Sequence, residues 1–304
     1  MRIVLIGQAA FGEQTLNRLW EQSENIIAVY TPKDGPGGRM DLLKQAAIEK
    51  GIDVFQPDRY KDNAVFANYK ALKPDLTVMA FVTDIIPNRF FEVPIHGAIN
   101  YHPSLLPRHR GASAINWAVI MGDAQTGLSI FWPDKGIDTG PILLQKKIDI
   151  GPDDTTGSLY FDQLFPMGVD AIAESIDLIK AGNTPKISQD ETRATYEPPC
   201  DDRVASIDWK KPAREIYNLI RGCDPQPGAY ASFNGEQIRF YGAKMMEGPL
   251  DQSPGTVIAM NDQGIGIAVN GGKIVVNKIR TAKAGKISAW QFAKEQGLKA
   301  GDTF

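Results

Sequence analysis

The three histidines of the chain, His96, His102 and His109, lie within fourteen consecutive positions. Two of them belong to the sequence NYHPSLLPRHRG, which starts at Asn100. Asn100 and His102 are two positions apart, so in a strand their side chains project from the same face. An imidazole can transfer protons near neutral pH, and a carboxamide can donate a hydrogen bond to a developing oxyanion. The pair therefore indicates a reaction in which negative charge forms on an oxygen.

A carboxylate that could complete this site follows 36 residues after His102. Asp138 lies in the sequence GIDTG, where the two glycines and the preceding Pro133 indicate an irregular loop at the end of a strand. A carboxylate beside an imidazole fixes the imidazole tautomer, raises its basicity and orders a water molecule for proton transfer. Asn100, His102 and Asp138 together are suited to acyl transfer without a nucleophile from the protein.

Two other chemistries are compatible with parts of the sequence. The three histidines could bind zinc, but their spacings of six and seven residues match no familiar ligand pattern, so we predict no metal site. The turn GQAAFG at 7–12 has Ala9 where a dinucleotide-binding fingerprint needs its middle glycine. A nicotinamide cofactor is therefore disfavoured. Helix N-terminal amides in this turn could still bind a polar or anionic acceptor.

Strands and helices alternate along the first half of the chain. Apolar runs predict strands at 2–7, 26–31, 75–81, 97–102 and 126–132, and helical periodicity predicts helices after the first strand, at 41–51 and at 113–122. This alternation predicts an α/β fold with a Rossmann-like parallel sheet. Asn100 and His102 then fall at the carboxyl ends of the strands, where such sheets bind ligands.

The second half of the chain changes in character. An amphipathic segment at 159–180 is followed by a polar, proline-containing linker at about 181–204. Short alternating strands separated by Gly, Asn and Asp turns come next and predict a small OB-like β-barrel. We therefore predict a catalytic domain at 1–204 and a C-terminal β-barrel domain at 205–304.

Composition and charge exclude several classes of protein. The net charge of −3 gives the chain as a whole no attraction to nucleic acid. There is no run of eighteen apolar residues, so we predict no membrane span. The absence of a signal sequence and the presence of only two cysteines, Cys200 and Cys223, favour reduced thiols and a cytoplasmic location. Neither cysteine is a good candidate for a nucleophile.

Five motifs occur in an order that is typical of one enzyme family. They are GQAAFG at 7–12, MAFVTDIIP at 79–87, HPSLLPRHRGASAINW at 102–117, MGDAQTG at 121–127 and DTGPILLQK at 138–146. In these motifs the chain resembles the 10-formyltetrahydrofolate-dependent formyltransferase family over nearly its whole length. Within that family it is most similar to the N-terminal hydrolase domain of 10-formyltetrahydrofolate dehydrogenase, and next to methionyl-tRNA formyltransferases and amino-sugar formyltransferases.

The resemblance implies 10-formyltetrahydrofolate as the formyl donor, no metal, and a role for several residues. His102 and Asp138 match the catalytic pair of the family. Asn100 matches its catalytic asparagine, a position at which the dehydrogenase domain departs from the pattern. The residues expected to contact the pterin are Phe81, Val82, Thr83, Asp84, Ile85, Ile86, Leu105 and Ile137. The substrate-binding candidates are Gly7, Gln8 and Phe11 in the first turn, and Ser104 and Arg110 near the pocket entrance.

The formyl acceptor stays open among water, a small amine such as an amino sugar, and transfer RNA. Transfer RNA is less favoured because the segment 31–41 is short and nearly neutral, and residues 201–304 hold 14 basic against 11 acidic residues with one clear basic run at 273–286. The nearest resemblance favours water, whereas the retained Asn100 favours an amine. A folate-binding module without activity is the alternative from another class, in which His102 and Asp138 would have no role.

Overall fold

The computed structural model describes residues 1–282 and 285–304, so positions 283 and 284 of the basic run lie outside the described residues. The strands are β1 (Arg2–Gly7), β2 (Asn25–Tyr30), β3 (Asp53–Phe55), β4 (Leu76–Ala80), β5 (Ala98–His102), β6 (Gln125–Phe131), β7 (Ile142–Asp149), β8 (Ala229–Phe233), β9 (Glu236–Glu247), β10 (Val257–Asn261), β11 (Gly264–Val269), β12 (Gly272–Arg280) and β13 (Lys286–Ser288). The helices are α1 (Ala9–Glu21), α2 (Leu42–Glu49), α3 (Asn63–Ala71), α4 (Ala114–Ile120), α5 (Thr156–Ser158), α6 (Phe165–Lys180), α7 (Ala213–Gly222) and α8 (Ala289–Gln296).

A seven-stranded sheet in the order β3-β2-β1-β4-β5-β6-β7 forms the first half of the structure. The pairs β1/β2, β2/β3, β1/β4 and β4/β5 are parallel, which confirms the Rossmann-like sheet. The sheet is not parallel throughout, because β5 and β6 pair antiparallel. If β6 were parallel to β5, the chain between them would have to form a crossover over the sheet. The helix between these two strands, α4, instead packs against α7.

The chain divides into two compact units that are not contiguous in sequence. Unit 1 consists of residues 1–111, 127–147 and 163–196, and unit 2 of residues 112–126, 148–162 and 197–304. This division differs from the predicted segments 1–204 and 205–304, because residues 112–126 and 148–162 pack with the C-terminal segment. Most of the predicted linker, up to Tyr196, belongs to unit 1, where Ile187 forms a backbone bridge with Ile142.

The core of unit 1 explains why its first strand reads as a continuous apolar run. Ile3 and Leu5 of β1 are buried in one apolar cluster, while Val4 and Ile6 are buried in another, so the strand is covered on both faces. Phe11 of α1 stacks on Tyr101 of β5 with ring centroids 4.4 Å apart. Helices on the sheet therefore fix β5, the strand that carries Asn100 and His102.

Unit 2 contains a separate antiparallel sheet in the order β10-β11-β12-β9-β8, with β13 paired to β12. Its apolar core includes Trp209, Phe240 and Phe292, and α7 and α8 contribute buried residues to the same cluster. A Rossmann-like domain followed by a small antiparallel β domain is thus confirmed. Among the described residues no helix is both long enough and apolar enough to cross a lipid bilayer.

Candidate active site

Strand β5 presents Asn100 and His102 at the carboxyl end of the first sheet. The strand pairs with β4 through Asn100 opposite Met79, and with β6 through His102 opposite Ser129. Asn100 is partly exposed and His102 is buried. The predicted placement of the two side chains on one face at this edge agrees with the structure, since they are two residues apart in a regular strand.

The two ring nitrogens of His102 meet different acceptors. Nε2 lies 2.7 Å from the backbone oxygen of His109, and Nδ1 lies 3.5 Å from Oδ2 of Asp138. A carbonyl can only accept, so Nε2 carries the hydrogen of this bond. Nδ1 is therefore the nitrogen that can take up or release a proton beside a carboxylate. Sequence reasoning found His102 and Asp138 but assigned no such role to the His109 carbonyl.

Asp138 sits in a tightly held loop between β6 and β7. Its backbone is left-handed, with φ of 56°, and its Oδ2 accepts a hydrogen bond of 2.8 Å from the amide of Gly111. Asp134 accepts a hydrogen bond from the Gly136 amide at 3.0 Å and so closes the turn that precedes Asp138. A Cβ at Gly140 would lie 1.7 Å from the Trp132 carbonyl oxygen, which explains the glycine after Thr139.

The loop after β4 and the turn after β1 line one small cavity. It is lined by Ile6, Gly7, Gln8, Pro32, Tyr60, Val82, Thr83 and Asp84. Gln8 Nε2 lies 3.4 Å from Thr83 Oγ1, which joins the two segments. Five residues expected to bind donor or substrate are thus brought together. The cavity offers a partly apolar wall with several backbone and side-chain polar groups, as a pterin edge requires.

The remaining expected pterin contacts differ in exposure. Ile85 is 78% exposed, Ile137 is 61% exposed, and Phe81 is exposed with a left-handed φ of 61°. Ile86 is buried in the apolar cluster under the loop, and Leu105 is partly buried. Exposed apolar side chains at the edge of a sheet can contact a flat ligand. The contact roles of Phe81, Ile85 and Ile137 stay predictions.

Three expected substrate contacts are in fact interior residues. Phe11 is buried against Tyr101, and the Ser104 side chain is buried and donates to the Arg108 carbonyl at 2.6 Å. Arg110 is only 1% exposed and binds Glu191 at 2.6 Å. The expectation that Ser104 and Arg110 lie at the pocket entrance is wrong, because both side chains are packed and hydrogen-bonded inside unit 1.

The turn at 7–12 does not offer its first helical amide to an anion. The Ala9 amide donates to both carboxylate oxygens of Asp41, at 3.1 and 2.9 Å, and the same carboxylate caps α2 through the Leu43 amide. A negative charge is therefore already bound where a phosphate would have to lie. The sequence reasoning missed Asp41, since 32 residues separate it from Ala9.

No group of three or more His, Cys, Asp or Glu side chains within residues 1–282 and 285–304 is arranged to bind a metal ion. His96 is exposed, and its backbone amide donates to the Asp75 carbonyl at 2.8 Å. The His102 ring contacts the backbone carbonyl of His109 and not its imidazole.

Comparison with known proteins places this geometry in a family. Residues 1–165 match the formyl transferase family, and residues 201–297 match the formyl transferase C-terminal domain family. The chain belongs to the formyltransferase family. The candidate catalytic residues Asn100, His102 and Asp138 all fall within the first of the two matched segments.

Two curated relatives illustrate different members of the formyltransferase family. The mouse mitochondrial 10-formyltetrahydrofolate dehydrogenase is 39% identical over 318 residues, covering 100% of this chain but only 34% of the relative. The methionyl-tRNA formyltransferase of Trichlorobacter lovleyi is 35% identical over 305 residues, covering 99% of this chain and 96% of the relative. The chain thus spans about a third of one relative and nearly all of the other.

A solved formyltransferase shares the fold. The N-formyltransferase from Helicobacter canadensis, crystallised with folinic acid and dTDP-3-aminofucose, superposes with a TM-score of 0.71 at 20% identity, over 90% of this chain and 98% of that chain. At this identity the likeness concerns the arrangement of helices and strands.

Proposed function

We propose that the chain takes a formyl group from 10-formyltetrahydrofolate and passes it to water or to an amine, with release of tetrahydrofolate. The observation that carries the proposal is the pairing of His102 Nδ1 with the Asp138 carboxylate at 3.5 Å, on the same strand edge as Asn100. Membership of the formyltransferase family supports this donor, as do the names of the dehydrogenase and methionyl-tRNA formyltransferase relatives.

Each of the three residues has a defined task in the proposed reaction. When bound, the donor supplies the formyl carbon for attack and N10 as the leaving nitrogen. Asn100 donates from its amide to the formyl oxygen as negative charge develops there. His102 keeps its Nε2 hydrogen on the His109 carbonyl, so a proton on Nδ1 is the one it can donate to that oxygen. Asp138 accepts a proton from the attacking water or amine and delivers it to N10 as the C–N10 bond breaks.

Water is the acceptor we favour, because several basic side chains of unit 2 are paired with carboxylates of the same unit. Arg239 binds Asp202 at 2.7 Å and also donates to the Gly228 carbonyl, and Lys286 lies 3.6 Å from Asp224. A nucleic-acid partner needs unpaired cations that can replace phosphate counterions. These pairs reduce the number of such cations in the described part of unit 2.

Transfer RNA is the second candidate, and the extent of one relative favours it. The methionyl-tRNA formyltransferase of T. lovleyi matches over 96% of its own length, so nearly all of that relative has a counterpart in this chain. An amino sugar or another small amine is the third acceptor class. All three candidates share the donor and the Asn100, His102 and Asp138 site.

The test of the proposal is the release of tetrahydrofolate and formate from 10-formyltetrahydrofolate by the purified chain. Wild-type protein, His102→Ala and the matched control His96→Ala would be assayed with water alone, with methionyl-tRNA and with a nucleotide-linked amino sugar. We expect equimolar tetrahydrofolate and formate in water from the wild type and the control. The His102→Ala rate should be lower by about 10²-fold or more, the usual worth of a positioned acid–base group.

Two outcomes would contradict the proposal. Equal turnover by His102→Ala and wild type would remove the site from the reaction. The second outcome is donor binding without turnover in any of the three assays. If His102→Ala also leaves the donor affinity unchanged, the chain is a folate-binding module.

A further inference from the structure

The polar segment at residues 187–196 is fastened to both loops that orient the His102–Asp138 pair. At its start, the Ile187 amide and carbonyl pair with Ile142 at 3.0 and 2.8 Å. At its end, Tyr196 forms a bridge with Arg110. Nothing in the proposed reaction requires these residues to touch a substrate, so their contacts call for another explanation.

Gln189 has all its side-chain hydrogen-bonding groups engaged. Its Nε2 donates to the carbonyl oxygens of Asp138, at 2.8 Å, and Gly140, at 2.7 Å. Its Oε1 accepts from Nη2 of Arg110 at 2.8 Å and from Nε at 3.1 Å. Asp138 is a non-glycine residue in left-handed backbone conformation, which is unfavourable without outside support. The Gln189 amide supplies that support on both sides of Thr139.

The same segment also holds the loop at residues 107–111. Thr195 donates from its amide to the Pro107 carbonyl at 3.2 Å, and its Oγ1 accepts from the His109 amide at 2.8 Å. The Arg110 amide donates to the Thr195 carbonyl at 3.1 Å. This loop supplies the His109 carbonyl that binds His102 and the Gly111 amide that binds Asp138. The His109 carbonyl and the Gly111 amide, which orient His102 and Asp138, therefore belong to or directly follow residues that contact the 187–196 segment.

We propose that Gln189 is a positioning residue, which holds the Asp138 loop so that the carboxylate faces Nδ1 of His102. The inference rests on the proposed function only in taking Asp138 as the group that handles the proton. Gln189 bonds to Asp138, Gly140 and Arg110 and is not among the residues that line the cavity beside Gly7 and Thr83. Its loss should therefore lower kcat and leave the KM for the donor nearly unchanged.

The first experiment compares Gln189→Leu and Gln189→Glu with Gln291→Leu as the matched control. Leucine keeps the approximate size of the side chain and removes every hydrogen bond, whereas glutamate keeps the acceptor for Arg110 and removes the donor to the two carbonyls. Gln291 is exposed on α8, and in the described structure its side chain donates a hydrogen bond to Glu295. We expect kcat to fall about 10²-fold in both Gln189 variants, the cost of a misplacement of about 1 Å, with donor KM within about twofold of wild type.

A double-mutant cycle with Asp138→Asn separates positioning from a general effect on folding. If Gln189 acts through Asp138, Gln189→Leu should lower kcat in the wild-type background and have almost no effect in the Asp138→Asn background. An equal fold-loss in both backgrounds, or a Gln189→Glu variant with wild-type kcat, would overturn the inference. If Asp138→Asn itself has wild-type kcat, the proposed function is wrong as well, so the two failures are distinguishable.

Discussion

At the scale of single residues, the surroundings of His102 give its two nitrogens separate tasks. The carbonyl of His109 accepts the hydrogen of Nε2 and so orients the ring. The carboxylate of Asp138 faces the other ring nitrogen, Nδ1. The Gly111 amide in turn orients Asp138 through Oδ2, the same oxygen that faces His102. The ring and the carboxylate are therefore each fixed by a backbone group before any substrate binds.

Replacing Asp138 by asparagine should remove the chemistry and retain most of the structure. The carboxamide oxygen can still accept from Gly111, but the charge and the proton acceptor are lost. We expect kcat for tetrahydrofolate release to fall roughly 10²- to 10⁴-fold, the range for a lost acid–base group. Asp251→Asn, the same change at an exposed position, is the control. A kcat within threefold of wild type would exclude Asp138 from proton transfer.

The two cysteines form a pair that their spacing does not reveal. Cys200 and Cys223 are 23 residues apart, yet their sulfur atoms lie 3.7 Å from each other in unit 2. The hydrogen bond from the Cys223 thiol lowers the pKa of Cys200, and the bond to Cys200 together with burial raises the pKa of Cys223. Cys200 is thus the thiol with more thiolate at a given pH.

This pairing predicts the order in which the thiols react. Iodoacetamide at pH about 8 should alkylate Cys200 before the buried Cys223 because the thiolate is the nucleophile. Cys223→Ala removes the hydrogen bond, raises the pKa of Cys200 and should slow its alkylation at the same pH. Mass spectrometry of timed digests measures both rates. Alkylation of Cys223 first, or faster alkylation of Cys200 in the variant, would contradict the prediction.

At the scale of elements, the sequence predicted the strand that carries the candidate site better than it predicted the segments that contact that site. β5 was predicted from a short apolar run, and Asn100 and His102 followed from its two-residue period. The sequence did not indicate that Arg110 is buried, because its partner Glu191 is 81 residues away. It also did not predict β3, β7 or α3. A three-residue strand such as β3 is too short for a periodic signal, and polar residues interrupt the pattern in β7.

The attachment of the 187–196 segment should depend on pH through Glu191. The hydrogen bond from Arg110 lowers the pKa of Glu191, although its side chain is 67% exposed. A lowered pKa stabilises the folded chain above the ordinary glutamate value of about 4.3, and this stabilisation is lost as the pH falls through the lower folded-state value. The unfolding free energies of wild type and Glu191→Gln should therefore differ by a constant amount between pH of about 6 and 8 and converge below pH of about 4.

Urea unfolding at several pH values measures this difference. The control is Glu21→Gln, the same change at an exposed position of α1. A Glu191→Gln difference that grows as the pH falls would contradict the sign derived from the lowered pKa.

The contact of α6 with the β5 layer depends on a glycine. A Cβ at Gly168 would lie 2.6 Å from Cε2 of Tyr101 and 2.9 Å from Cε2 of Phe11, and both rings are buried. Alanine is the better helix former by about 1 kcal/mol, but rigid rings cannot make room without moving α6. We expect Gly168→Ala to lower the unfolding free energy by roughly 1 to 2 kcal/mol net.

Urea unfolding measures this cost as well, with Asp177→Ala on the exposed side of α6 as the control. The control should stay within about 0.5 kcal/mol of wild type. A Gly168→Ala protein more stable than wild type would show that the two rings yield to the added methyl group.

At the scale of the whole molecule, charge bears on the choice of acceptor. The net charge is −3, and several cations of unit 2 are paired within the unit: Arg203 with Asp201, Arg239 with Asp202 and Lys286 with Asp224. Exposed pairs such as the first contribute little to stability, but they lower the positive potential that a phosphate chain would meet. The family shared with a methionyl-tRNA formyltransferase therefore does not by itself assign transfer RNA to this chain.

Salt dependence separates the two acceptors. Hydrolysis with water involves one small anionic donor, so we expect its kcat/KM to change by less than about tenfold between 50 and 200 mM KCl. Binding of a nucleic acid through 6 to 10 phosphate contacts would lose about 10³- to 10⁵-fold in affinity over the same range. Because we favour water as the acceptor, we expect formyl transfer to methionyl-tRNA to be slower than hydrolysis at both salt concentrations. Transfer that exceeds hydrolysis about 100-fold at 50 mM KCl and collapses at 200 mM would assign transfer RNA as the acceptor and make hydrolysis a side reaction.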